Sequence, residues 1–242
     1  MALAGDHVQV LVGGYELTGD SNKLAIDDSY KQHDVTAFSD GVHKFINGQR
    51  QMKLEHTGYL NSAAAGSHPV LKSGLLEAIV SVLLGQNAAP AVGDPVYSLG
   101  LLQGKYATMP EVDKHIPFTA NFAARGQLGG WGVALAVPVS FTNSNNGSSV
   151  DNGASSDNGG AAFLHVLQAA ASDTYTIIIE GSTTGAFGGE ETTLATFSLN
   201  GSALGSERAA ISGTLPRYTR WKATRSGSAG DTVEIAVSLV RF

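Results

Sequence analysis

The feature that most constrains this chain is an alternation of apolar and polar residues that recurs along most of its length. Within residues 232–241, Val233, Ile235, Val237 and Leu239 alternate with Thr232, Glu234, Ala236 and Ser238. Successive side chains of a strand point to opposite faces, so such a run has one buried and one polar face. Burying those four side chains contributes about 1.5–3 kcal/mol each before entropy is counted. Tyr175, Ile177 and Ile179 alternate with Thr174, Thr176 and Ile178, and Thr219, Trp221 and Ala223 with Tyr218, Arg220 and Lys222. Further strands are expected over 6–17, 22–28, 51–59, 115–123, 131–141, 161–169 and 193–199. The fold class is therefore mainly β.

One segment departs from period two. Leu71, Leu75, Leu76, Ile79, Val82 and Leu83 recur at helical spacing, with Ser73 placed to cap the start and Gly85 to end it. This predicts one amphipathic helix near 72–85, flanking the sheet. Residues 143–160 are almost all Asn, Ser, Gly and Asp, with little to bury. They read either as a mobile linker between two β lobes or as a long loop ordered against a neighbouring subunit. The chain thus divides into a lobe over 1–140, an arm or linker over 141–160 and a lobe over 161–242. The two halves do not align by residue identity.

Charged residues are 15% of the 242, against roughly 25% in an ordinary soluble protein. A weakly charged surface costs little to desolvate, so it suits a face buried against other subunits. It suits a plain β-sandwich with long polar loops equally. A net charge of −6 argues against wrapping nucleic acid by phosphate neutralisation, though not against DNA passing close by. The absence of cysteine rules out disulfides and thiolate metal sites. Residues 1–14 lack a basic n-region, and Gln9 interrupts their apolar run. The expectation is no signal peptide, no membrane span and synthesis in the cytoplasm.

Templates for catalysis fail on spacing or on a missing partner. There is no Gly-x-Ser-x-Gly elbow and no dinucleotide fingerprint, and Gly104-Lys105 lacks the earlier glycine of a phosphate loop. His33 beside Asp34, with His43 beyond, has no metal-ligand spacing. Asp113 and His115 share a face if extended, with no nameable nucleophile. Asp27-Asp28 and Glu190-Glu191 point to opposite faces of any strand, so neither pair acts across one substrate. Residues 217–222 interleave Arg217, Arg220 and Lys222 with Tyr218 and Trp221, as a nucleic-acid or sugar platform does, or as a half-buried strand does. Asn146-Gly147-Ser148 and Asn200-Gly201-Ser202 match glycosylation acceptors. The expectation is a protein without cofactor or metal, and not an enzyme.

A more specific signal lies in Asp34-Val35-Thr36-Ala37-Phe38-Ser39-Asp40, followed by His43-Lys44-Phe45-Ile46-Asn47-Gly48-Gln49-Arg50 and by Gly58-Tyr59. This passage resembles the major tail-tube proteins of long-tailed bacteriophages, in which a "D-V-T-x-F" and "G-x-R" stretch precedes a strand. Leu215-Pro216-Arg217-Tyr218 and the run ending Val240-Arg241-Phe242 resemble closing strands of such proteins. The resemblance covers roughly 10–60 and 160–242. It implies a β-sandwich or barrel with one flanking helix, whose sheets join into rings. The rings contain three two-lobed copies or six one-lobed copies, and two lobes favour three. Stacked rings form the virion's tail tube, with other tail proteins at its ends and double-stranded DNA passing through without sequence-specific contact. It marks Asp34, Val35, Thr36, Phe38, Gly48, Arg50, Gly58, Arg217, Tyr218 and Arg241 as assembly candidates. Asn143, Asn146, Asp151 and Asp157 become candidates for an arm between rings.

Two other readings fit the composition. One is a head-decoration or other virion protein. The other is a carbohydrate-binding β-sandwich using Trp131, Trp221 and Tyr218.

Overall fold

A computed structural model describes residues 7–75, 77–86, 88–126 and 129–242. Expectations touching residues 1–6, including the start of the first strand, and Leu76 lie outside the described residues. The alternating segments fold as strands. β1 (Val8–Val12) turns at Gly13 into the short β2 (Tyr15–Glu16). β3 (Ser21–Asp34) and β4 (Phe45–Tyr59) make a long hairpin. After the short helix α1 (Ser67–Lys72) come β5 (Ile79–Leu84), β6 (Pro95–Thr108), β7 (Pro117–Ala124) and β8 (Gly130–Phe141). Two short strands follow, β9 (Asn145–Asn146) and β10 (Val150–Asp151). The remainder comprises β11 (Gly160–Gln168), β12 (Thr174–Ser182), β13 (Thr192–Thr196), β14 (Gly205–Ile211), β15 (Tyr218–Ser226) and β16 (Val233–Arg241).

These strands form two antiparallel sheets. The larger runs β14-β11-β16-β8-β6-β5-β1-β2, and the smaller runs β10-β15-β12-β13 with β9 also beside β15. β6 is long enough to serve two neighbours in turn. Its first half pairs with β5 and β8, and its second half swings out to pair with β7, which leads on to β4 and β3.

The larger sheet curls until its ends meet. The His165 ring on β11 bonds the Gly13 carbonyl at 2.7 Å, and the Ile79 amide donates to the Ser206 hydroxyl at 2.9 Å. Gly14 makes the approach possible, since a Cβ there would lie 2.4 Å from the Gly205 nitrogen. Both faces of the curled sheet are therefore buried. Its concave face holds Leu11, Leu83, Val96, Ala134 and Ala236, continued by Ile79, Phe163 and Val240. Its convex face carries two cores. Val10, Val80, Val82, Tyr97 and Leu99 pack against α1 and the β3-β4-β7 layer. Leu135, Leu164, Val237 and Leu239 pack against Tyr175, Ile177, Ile179 and Trp221 of the smaller sheet.

Burial on both faces corrects the helix expected near 72–85. α1 ends at Lys72, Gly74 takes φ +69°, and 79–84 is strand β5. A strand buried on two faces reads as a continuous apolar run, and Ile79, Val82 and Leu83 matched helical spacing by accident. β6 and β14 were not among the expected strands, and β6 hides its period for the same reason in its doubly buried first half.

The division expected near residue 140 does not separate two sheets. β8 pairs with β6 on one side and β16 on the other, and its Leu135, Ala136 and Phe141 belong to the C-terminal core. There are two outer cores on one shared sheet.

Candidate functional site

The tail-tube-like motif maps onto one object, the hairpin of β3 and β4. The two strands pair along their whole length, from Ser21↔Gly58 to Asp34↔Phe45. β7 supports β4 only from Lys53 to Tyr59. Beyond that point no third strand of the described residues pairs with the hairpin, and past Met52, which is core, and Arg50, which lies against Gly130, its side chains are exposed. At a strand rise near 3.3 Å per residue, the four steps from Tyr30, opposite Arg50, to Asp34 carry its tip about 13 Å past its support. A lone ribbon in water is marginal, so its far end needs a partner.

The polar motif residues shape the tip rather than present a reaction. Asp34 accepts the Thr36 amide at 2.9 Å and the Thr36 hydroxyl, and the Lys44 amide donates to Thr36 Oγ1 at 3.0 Å. Asp40 accepts the Ala37 amide at 2.8 Å and pairs with the Lys44 ammonium. The Thr36 hydroxyl holds the Asp34 carboxyl below its usual range. With the carboxylates turned onto the loop's own backbone, apolar side chains are left outside. Tyr30, Val35, Phe38, Val42, Phe45 and Ile46 are all exposed, Phe38 entirely and Val42 at 73%.

Other motif residues hold the ribbon to the body. Arg50 grips Asp28 through Nε and Nη2 at 2.6 and 2.5 Å where the hairpin leaves its support. A Cβ on Gly48 would stand 2.7 Å from the His33 ring, and one on Gly58 would stand 1.9 Å from the Asp20 carbonyl. Gly58 thus lets the 3-10 turn Thr18–Asp20 lie on the hairpin's base.

Beside that base is an open groove of about 620 Å³ between β3 and the β1-β5 wall. Val10, Leu24, Ile26, Leu84 and Trp131 line it, with Asn22 and Lys23 also along it. Trp131 is half exposed there and meets Tyr97 edge-on at 5.2 Å. Sequence reasoning did not find the groove. Leu24 and Ile26 alternate like any buried strand face, and the splaying of β3 away from β1 leaves them only partly covered.

The remaining candidates lie elsewhere, and the structure corrects the reading of 143–160 as a mobile linker or as a loop ordered only by a neighbour. The segment is a strap folded onto the smaller sheet. Asn146 pairs with Lys222 on β15, and Val150 with Thr219. Arg217 takes Asp151 through two bonds at 2.6 and 2.7 Å, and Thr214 donates to Asp157 at 2.8 Å. Asn143 accepts from Arg225 at 3.1 Å. Arg241 donates to the carbonyls of Asn152 at 3.2 Å and Ala154 at 2.6 Å. Arg217 and Arg241 are therefore clamps on the strap, far in sequence from the hairpin and not joined to it.

The platform reading of 217–222 also changes. Trp221 is 3% exposed and stacks on Phe141 at 5.4 Å, so it cannot bind a sugar as a platform. Arg220 and Lys222 both bond the buried Glu180 at 2.9 Å. Tyr218 lies under the Arg217 guanidinium at 5.0 Å. Asp113, at φ +60°, and His115 flank a shallow surface hollow with Tyr59. Among the described residues no group of three or more His, Asp or Glu is placed to hold a metal ion. No helix among them is long and apolar enough to cross a membrane.

No family model matches the chain, and no curated protein matches it. Solved structures do resemble it. A chain from the tail of an empty gene transfer agent particle is similar at 15% identity and TM-score 0.40, over 53% of this chain and 98% of that one. A chain of the anti-feeding prophage cap, which terminates its tube, is similar at 8% identity and TM-score 0.41, over 51% and 87%. The Dit protein of SPP1, from the hub adsorption apparatus of phages infecting Gram-positive bacteria, is similar at 12% identity and TM-score 0.34, over 97% and 99%.

Proposed function

We propose that this chain is a structural protein of a phage-type tail, a non-enzymatic subunit whose copies assemble into rings stacked as a tube for DNA. The observation that carries this reading is the β3-β4 hairpin, a ribbon that outruns its support and ends in exposed apolar side chains. A monomer gains nothing from such an element, whereas a subunit gains a contact in its neighbour. The hairpin is also where the residues resembling tail-tube proteins cluster, from Asp34 to Arg50.

A second feature supports self-assembly. Among the described residues β3 pairs with β4 alone, so one edge of this 14-residue strand has no strand beside it and can extend a sheet into another copy. A surface-to-surface contact between unlike faces closes into a ring when its rotation divides a full turn. The net charge of −6 fits a conduit that DNA crosses without adhering.

Electron microscopy of the purified chain tests the proposal. The expected result is tubes or rings of constant diameter. A chain that stays monomeric at every concentration, or that only adds to preformed capsids, would overturn the tube reading, and the second outcome would establish a decoration protein instead.

A further inference from the structure

We infer that the groove beside the hairpin base is the receptor for the hairpin tip of a second copy. This rests on the hairpin being an assembly element, and it names the surface that receives it. The two surfaces match in character. The tip exposes Phe38 and Val42 in its loop and Phe45 and Ile46 on the two faces of β4, and the groove is an open channel lined by the partly buried Leu24, Ile26 and Leu84 and by half-exposed Trp131. The groove volume of about 620 Å³ falls in the range that accepts several large side chains.

A chain cannot fill its own groove. Leu24 and Ile26 lie on the same β3 strand that carries the tip, and the ladder with β4 runs on from them to Asp34 across one register shift between Tyr30 and Gln32. Folding the tip back would break that ladder. The contact is therefore between unlike faces of two copies, which is the kind that propagates into rings or stacks.

The size of the patch also fits a second copy. Tyr30, Val35, Phe38, Val42, Phe45 and Ile46 expose on the order of 700 Å² of largely apolar surface in all, divided between the loop and the two faces of the ribbon. A stable protein interface buries about 800 Å² on each partner, so the loop and one face of the tip supply part of one side and the strands beside the tip the rest. The groove contributes little charge against it, with Lys23 at its rim and no acidic side chain in its lining.

The absence of cysteine in the chain makes a direct test clean. Phe38→Cys and Asn22→Cys are prepared as separate full-length variants, Asn22 being an exposed groove residue, and mixed under mild oxidation with one isotope-labelled. Mixed Phe38–Asn22 disulfide dimers are expected at least about tenfold faster than dimers of Phe38→Cys with Ser228→Cys, an exposed control on a distant loop. Equal rates would overturn the inference. Phe38→Asp is expected to weaken assembly at least about tenfold while leaving a folded monomer, and unchanged assembly would also overturn it. Tubes without the mixed disulfide would reject the groove and keep the tail reading. The mixed disulfide without tubes would keep the groove and reject the tube. A wild-type chain showing neither would reject both.

Discussion

His165 stands where the curled sheet closes, and both of its ring nitrogens are used. The Gly13 carbonyl can only accept, so Nδ1 carries the proton and donates at 2.7 Å. Nε2 then accepts from the Ser81 hydroxyl at 2.8 Å, and the chain runs on through Ser98 at 2.8 Å to Ser238 at 2.7 Å. Four strands are tied through this buried row, and no member is left without a partner. Burial pushes the His165 pKa down to about 4. His56, buried against Phe118 and bonded to Ser21 at 2.7 Å, is likewise pushed by burial to about 4. Both folded values lie below the unfolded value of 6.5, so the native state holds the neutral rings. Stability is full above about pH 6.5 and falls as pH drops towards about 4, by about 3 kcal/mol for each ring. Urea unfolding at pH 7 and pH 4.5 checks this. The loss is expected to shrink in His165→Gln, and an identical loss in that variant would show that the ring is not the titrating group.

The strap at 143–160 shows how an element with almost no apolar residues is kept in place. It supplies Val150 to the C-terminal core, and its backbone pairs with β15. Beyond that it is held by groups at other places in the chain. Arg217 grips Asp151, and the Arg217 bonds keep that carboxyl well below the usual range, so the clamp survives mild acid. Arg241 holds the carbonyls of Asn152 and Ala154. Removing the clamp with Arg241→Ala is expected to speed hydrogen exchange and proteolysis within 150–160 while β11 and β16 stay protected. Uniform loss of protection across the molecule would mean that Arg241 supports the core instead. The hairpin is the opposite kind of element. Its strands pair from base to tip with two register shifts, yet among the described residues no third strand pairs with its outer half.

At the scale of the whole molecule, the curled sheet acts as a wall shared by two outer cores, with the hairpin projecting from one of them. Contact through an apolar tip predicts how assembly responds to solvent. It is expected to persist in 1 M NaCl, where exposed ion pairs are screened within about 3 Å, and to strengthen in sulfate. Sedimentation across a salt series checks this, and dissociation in NaCl would assign the contact to charge. Much of this molecule follows from the order of its residues alone. Period two in 174–179, 218–223 and 232–241 is a local property of the backbone, and it determined a mainly β chain with those strands in place. The hairpin's inner halves were legible in the same way, over 22–28 and 51–59, whereas its outer half and the loop at 35–44 were marked only by a resemblance. What tertiary structure decided are the features set by contacts across long separations. β5 is a strand because the sheet around it buries both of its faces, which local spacing cannot show. Residues 143–160 are a strap because Arg217, Arg225 and Arg241 reach them from more than sixty positions away. Trp221 is core because Phe141 covers it. The groove exists because β3 splays from β1, leaving Leu24 and Ile26 only partly covered.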